Sequence, residues 1–534
     1  MGKFLENTIT PTYWAESSGY KGGRDPLGIQ NSSVVIYTNI LPGITNVTER
    51  VRYYGLHCWV LLQYHLLPKT KENNTPEYQV NFIRRSELLI SFLMKSYDDQ
   101  YGNIPGADFA STFIEKLKEE EYLVYSDGAD RERAMTDNEG NKRSYWAFSS
   151  GAYGQYYFGA LSHFNLIDFD KETKFHLLKE KGRSLAEAFD ESISSSNKEK
   201  FLSIVLDGTL RYDDLKQIQD FNIQNIPVGS SEWSALVELF VSQDSAQKET
   251  YQRRETLVNY LNIGLSGELE IDKGELGKYY FNNIDKVHFE NNSASLGWLI
   301  YYVQELIHYG EECIFFALIN KMNEDIYHIS DFLDHIKEEI LSLNIDQAKS
   351  LKEIVETDTS DPVTIFNELE GLVKQKENKS LIYNGFRLKY LVYRSIAEYI
   401  SPMEGYIHSN NLGVSLRSNP SIKSGIRRGS ILEFHNHFIR DSHKSVIDKI
   451  VETIKSVLND HQMIAFKKMG NSDGQVHKFI VEHNHLYPTG QIAPGFTSPR
   501  LNSVKEFLMD LSLIDRTSKS ISKHGEELIN TYNG

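Results

Sequence analysis

Apolar side chains recur along much of this chain at intervals of three and four residues, the spacing of one helical face. Between Trp298 and Leu318 the stripe is clearest: Leu299, Val303, Leu306, Gly310, Cys313 and Ala317 step by 4, 3, 4, 3 and 4 residues. Val51, Tyr54, Cys58 and Leu61 repeat it, and Asn46 with Glu49 has the capping-box spacing that predicts a helix start there. Further helices are expected over 79–97, with Phe82, Leu89, Phe92 and Leu93 inward and Arg84 and Arg85 outward, and over 152–167. Two more follow the polar loop Glu356–Pro362. Strand-type runs are fewer. Val34–Tyr37 is β-branched and aromatic, and Ile431–Phe438 and Val476–Val481 alternate with period two, flanking a helix over 443–458. Gly470–Gly474 reads as a tight connection before the last run. The pattern predicts a mainly α, multi-domain protein. An N-terminal helical domain spans 1–170, a central helical domain 171–345, a helical connector 346–420 and an α+β region 421–534.

Length and composition agree with several packed cores. At roughly 150 residues per domain, 534 residues suggest three or four. A net charge of -16 argues against a chain-wide footprint for phosphate, so any nucleic-acid contact must be local. Two distant cysteines, Cys58 and Cys313, exclude a disulfide scaffold and a cysteine-based zinc finger. The opening MGKFLENTIT has no apolar signal core, and no run approaches the ~18 apolar residues that cross a bilayer. A cytoplasmic protein without membrane contact is expected, and its Asn, Lys, Ile and Tyr richness suggests an AT-rich bacterial genome. No Walker A loop, dinucleotide fingerprint, nucleophile elbow or H-E-x-x-H motif is present.

Three candidate groups remain. Residues 421–480 carry ten Lys/Arg against six acids, and Arg427, Arg428, Lys467 and Lys468 are the cations best spaced to meet phosphate. Seven histidines fall between 435 and 485. If the two runs paired as strands, His435, His437, His483 and His485 would converge from Glu-Phe-His-Asn-His and Glu-His-Asn-His, a donor set suited to zinc or manganese. A divalent metal there is the one cofactor the sequence admits. Glu305-x-x-His308 with Glu312 is half of a carboxylate-bridged di-metal motif, lacking its second half on a partner helix.

The C-terminal residues add a resemblance. Leu501, Val504, Leu508 and Leu511 form one apolar helical face after Ser498-Pro499, followed by Leu513-Ile514, a polar stretch 515–521 and Ser522-Lys-His-Gly525-Glu-Glu-Leu528. This order resembles the end of bacterial winged-helix domains, so the 421–534 region is expected to close in a winged-helix-like module. Arg500 and Lys505 would be its phosphate contacts. Residues 498–534 nevertheless hold five basic and five acidic side chains, a poor balance for phosphate and a better one for packing or protein docking. Nearer the N-terminus, three motifs stand out: Arg24-Asp-Pro-Leu-Gly28, Leu41-Pro-Gly-Ile-Thr45 followed by Thr48-Glu-Arg-Val-Arg-Tyr-Tyr54, and Ile83-Arg-Arg-Ser-Glu87. They resemble those of uncharacterised bacterial families associated with mobile elements and anti-phage defence loci. That resemblance implies a context and partners, an ATPase or nuclease subunit, and carries over no catalytic residue. The expected function is a non-catalytic defence subunit that binds DNA or a partner protein through its C-terminal region. The rival is a metal-dependent nuclease or hydrolase built on the His/Glu cluster at 433–485.

Overall fold

The computed structural model describes residues 25–97, 104–241, 248–268, 275–343, 349–413, 427–469 and 476–533. These are mainly helical, with small antiparallel sheets, and no described helix is long and apolar enough to cross a membrane. The chain forms two compact units, each drawn from separated stretches: residues 40–275 with 500–534, and residues 1–39 with 276–499. Segments 1–170, 171–345 and 421–534 each contribute to both.

The unit formed by 40–275 and 500–534 is centred on the helix Arg52–Leu66, of which all but a few side chains are buried. Gly55 lets the Phe189 ring lie against its backbone, since a Cβ there would stand 3.0 Å from that ring. Trp59 packs among Phe189, Phe201 and Phe221, and its indole donates to Asp190 at 2.8 Å. The helix begins at Arg52 rather than near Asn46, because Thr45 and Thr48 close a turn through their hydroxyls and Tyr54 donates to Thr48. Helix Pro76–Tyr97 lies where expected, but Arg84 is buried rather than outward. Its guanidinium donates to the carbonyls of Ala129, Trp146, Phe148 and Ser149, while Arg85 forks onto Asp130. Strands β1 (Met135–Thr136) and β2 (Lys142–Arg143) form one hairpin, and β3 (Ile167–Phe169) pairs β4 (His176–Leu178). The helix expected over 152–167 is a five-residue π segment, Tyr153–Tyr157, continuing as Phe158–His163 and stopped by Asn165 at φ 59.

At the C-terminal end of this unit, helix Leu501–Asp510, a β-bridge between Ile514 and Ile521, and helix Lys523–Asn533 follow in order. Leu501, Val504, Leu508 and Leu511 are buried as the periodicity requires, and Phe507 meets Tyr54 and Phe240. Ser498 does not cap the helix: Arg500, in the left-handed region at φ 66, immediately precedes it.

The unit formed by 1–39 and 276–499 is built on helix Ala294–Met322, which is buried on every side and not merely along its stripe. It crosses helix Asn378–Ile396 at two glycines. A Cβ on Gly310 would lie 2.5 Å from the Gly385 carbonyl oxygen, and one on Gly385 2.6 Å from that of Gly310. Two expected strands are helices here. Asn31–Ile40 buries Ser32, Ser33, Ile36, Tyr37 and Ile40 at helical spacing, overriding the β-preference of Val34–Tyr37. Ile431–Asp441 is capped by Ser430, whose hydroxyl accepts from the Glu433 amide at 3.3 Å, and sets Phe434 and Phe438 against Tyr390 and Tyr393. The helix expected over 443–458 runs from Val446 to Met469. Strands β5 (Tyr327–His328), β6 (Phe479–Glu482) and β7 (His485–Pro488) make one antiparallel sheet in the order β5-β7-β6. Arg24, Ser424–Ile426 and Gly470–Gly474 lie outside the described residues.

Candidate functional site

Most of the cations expected to meet phosphate are held by their own chain. Arg427 is half-buried, donates to the Leu412 carbonyl at 2.9 Å, and has its pKa lowered by that burial. Arg428 pairs with Asp460. Lys468 donates to the Asp25 carbonyl at 2.6 Å, and burial lowers its pKa too. Lys467, beside it, points outward at the end of the Val446–Met469 helix. In the other unit, Arg500 donates to the Ile44 carbonyl at 2.5 Å, and Lys505 is half-buried on helix Leu501–Asp510. Arg516, downstream, bridges Glu506 at 2.8 Å and Asp510 at 2.7 Å. Asp510 also binds Arg50 at 2.6 Å, and burial still pushes its carboxyl up to about 6.

The strand pairing that was to gather four imidazoles does not form. His435 and His437 sit two residues apart on the helix Ile431–Asp441, so at 100° per residue they diverge onto different faces. His435 shares a hydrogen bond with the Tyr393 hydroxyl at 2.7 Å. Burial lowers the pKa of His437, with Arg440 and Lys449 adding to it. His483 and Asn484 occupy the two centre positions of the β6–β7 turn with φ of 51° and 62°, the mirror-image turn that matches strand twist and suits Asn. His485 alone of the four lies on a strand. Directly opposite it stand Glu482 on β6 and, on β5, His328, a residue the sequence pattern had not singled out. The His328 and His485 rings are 5.4 Å apart, edge to face. Among the described residues, no set of three or more His, Cys, Asp or Glu side chains stands in metal-binding arrangement.

Glu305, His308 and Glu312 are buried on helix Ala294–Met322, where they hold backbone. Glu305 accepts from the Thr497 amide at 2.5 Å, and Glu312 from the Gly495 amide at 3.0 Å and the Gln30 side chain at 2.7 Å. His308 binds the Gly429 carbonyl at 2.6 Å and Ser32 at 3.3 Å. Burial raises the Glu312 pKa to about 7. For His308, burial opposes the charge, but the Glu305 carboxylate and the Gly429 carbonyl outweigh it and raise the pKa. The three side chains clamp a strap outside regular structure, residues 495–497, and the start of helix Asn31–Ile40 onto the central helix.

A second buried polar group, in the other unit, went unread in the sequence. Glu87 accepts from the Tyr153 amide at 2.6 Å and from the Tyr145 hydroxyl, and lies 3.7 Å from the His57 imidazole. Burial raises Glu87 to about 7 and lowers His57 to about 3. The Tyr53 hydroxyl and His57 Nε2 are buried without a hydrogen-bond partner among the described residues. The π segment Tyr153–Tyr157 packs its rings against this group at tilted angles, and π segments are frequent at functional sites. The sequence signal was slight: Tyr53 and His57 lie four apart on one helical face, and Glu87 closes the Ile83–Glu87 motif. No family model matches the chain, and neither curated proteins nor solved structures offer a similar one.

Proposed function

We propose that this chain is a non-catalytic interaction subunit of a bacterial anti-phage defence assembly, and that it docks a partner protein through residues 421–534. The observation that carries the docking reading is the outer face of helix Val446–Met469. Met463 is 57% and Phe466 67% exposed, one helical turn apart, with the exposed Lys467 beside them. Two large apolar side chains left to water side by side support reading this face as one that a partner covers. The fitting occupant is an amphipathic partner helix with apolar residues for Met463 and Phe466 and an acidic flank for Lys467. Protein is favoured over DNA because Arg427, Arg428, Lys468 and Arg500 already bind their own chain, which removes the cations a phosphate backbone needs. The helix–bridge–helix order from Leu501 to Asn533 supports reading this end as a winged-helix-like module used for packing or docking. The defence context rests on the N-terminal motif resemblance alone.

The test is co-purification of the full chain with the products of genes encoded beside its own. Wild type is expected to retain one of them, an ATPase or nuclease subunit, and Phe466→Glu to lose it at least tenfold. Salt-dependent duplex binding that Arg427→Glu/Arg428→Glu abolishes, with no protein retained, would replace this reading by the DNA one.

A further inference from the structure

The topology assigns His485 a different neighbour from any that its sequence surroundings offered. It lies on β7, the middle strand, between His328 on β5 and Glu482 on β6, all three in one cross-strand row. Residues directly opposite in adjacent strands project from the same face, with Cβ atoms about 5 Å apart. The two imidazoles have already converged, their rings 5.4 Å apart.

Both rings are also oriented by the same nitrogen. His485 Nδ1 lies 2.9 Å from the His483 carbonyl, an acceptor, so Nδ1 carries the proton and Nε2 the lone pair. His328 Nδ1 lies 2.7 Å from the Ser330 hydroxyl, which in turn donates to Asp331 at 2.9 Å. With the Ser330 hydrogen directed at Asp331, the hydroxyl accepts from Nδ1–H, which again leaves the Nε2 lone pair free. A ligating histidine is commonly held this way: one ring nitrogen donates to a carbonyl or a carboxylate-backed group, and the other faces the ion. The carbonyl that orients His485 belongs to the left-handed turn His483–Asn484, so the hairpin geometry itself supplies it.

We propose that His328 and His485 bind one late first-row divalent ion, such as zinc or nickel, through their Nε2 atoms, and that the ion pins β5 to the β6–β7 hairpin. Imidazole nitrogen selects this class over magnesium or calcium. The Glu482 carboxylate is exposed, and a change of its rotamer brings it to the ion as third ligand, with water completing the tetrahedron. The role is structural: the ion cross-links two segments far apart in sequence, and no reaction is assigned to it. This inference is independent of the docking reading, since it concerns the sheet and not the outer face of helix Val446–Met469.

The experiment is a zinc titration of the full chain, purified without a histidine tag and stripped with chelator, followed calorimetrically and by cobalt absorption. One ion per chain is expected at the highest-affinity site, together with a zinc-dependent rise in Tm. His328→Gln and His485→Gln should each weaken that site at least tenfold and abolish the Tm rise. Ser330→Ala, which leaves both ligands in place, should weaken it by a smaller factor, within the roughly 10–100-fold span of orienting partners. His435→Gln/His437→Gln should leave the titration unchanged. All these side chains are half-buried or exposed, so the variants fold; far-UV dichroism checks that. A titration without a saturable site overturns the proposal. So does one unaltered in His328→Gln, or one lost only in the 435/437 variant.

Discussion

The two units solve the same problem, filling a helical core around a central helix, by different means. In the unit of 40–275 and 500–534, buried charge does much of the joining. Arg52 forks onto Glu232 at 2.7 and 2.8 Å while donating to the Asp220 and Asn222 carbonyls. Arg84 fills a ring of carbonyls, and Arg50 with Arg516 holds Asp510. In the unit of 1–39 and 276–499, the central joint is a close one: two helices touch backbone to backbone at Gly310 and Gly385, and an ion pair, Lys389 to Glu311 at 2.5 Å, stands beside the crossing. The other buried polar groups of that central helix, Glu305, His308 and Glu312, hold residues 495–497 and the start of the first helix. A guanidinium in a carbonyl ring specifies geometry through many directed bonds, whereas a glycine crossing specifies it by leaving no room for anything else.

That contrast can be broken most forcefully at Arg52. Arg52→Ala leaves the Glu232 carboxylate buried and unpaired, which is expected to cost about 3–5 kcal/mol, read as a fall in the urea midpoint. The double variant Arg52→Met/Glu232→Leu should recover much of the loss. Recovery of nothing would mean that the carbonyl bonds, not the ion pair, carry the joint. Next in size is the glycine crossing. Gly385→Val drives a side chain into the Gly310 carbonyl and Ile314 and should cost about 1–3 kcal/mol by the same measurement. A neutral outcome would show that the helices can part.

Smaller, and sensitive to pH, is the Glu87 carboxyl. Its folded pKa of about 7 lies above the unfolded value, so the folded state binds its proton more tightly. That contribution is fully present below about pH 4 and is lost as pH rises through about 7. His57, depressed to about 3, acts oppositely, since its share is lost as pH falls from about 6.5. The clean window is therefore pH 6.5–8, where Glu87 should cost about 1 kcal/mol of stability and Glu87→Gln should remove that share of the slope. Glu312, also near 7, should contribute a similar slope in the other unit, removed by Glu312→Gln. Smallest is Phe466→Glu, which should alter stability by less than about 0.5 kcal/mol while abolishing partner retention, because the ring is already in water.

How much of this was legible depended on whether a residue's partners lay nearby in sequence. The Leu299–Ala317 stripe announced its helix, and Pro362, after the Asp361 cap, opened another as the polar loop implied. Leu501, Val504 and Leu508 declared their inward face correctly. Val34–Tyr37 and Ile431–Phe438 did not, because a short β-branched or alternating run fits both periods and only packing against distant helices selects one. Arg84 and Arg85 looked like surface cations because the carbonyls and carboxylate that hold them come from residues 129–149. The candidate site shows the same limit. His485 was a reasonable ligand from its letters alone, but the twin phrase at 435–437 folded as a helix, and the imidazole facing His485 came from 328.

By itself the sequence determined a helical class, the long central helix, the absence of the familiar nucleotide and protease motifs, and an acidic balance unfavourable to phosphate at large. All of these follow from local periodicity or from sums over residues. The tertiary structure alone decided which glycines touch, which arginines are spent inside, and which histidines meet. Those pairings depend on strand register and helix crossing between segments far apart in the chain, and no spacing within a segment encodes them.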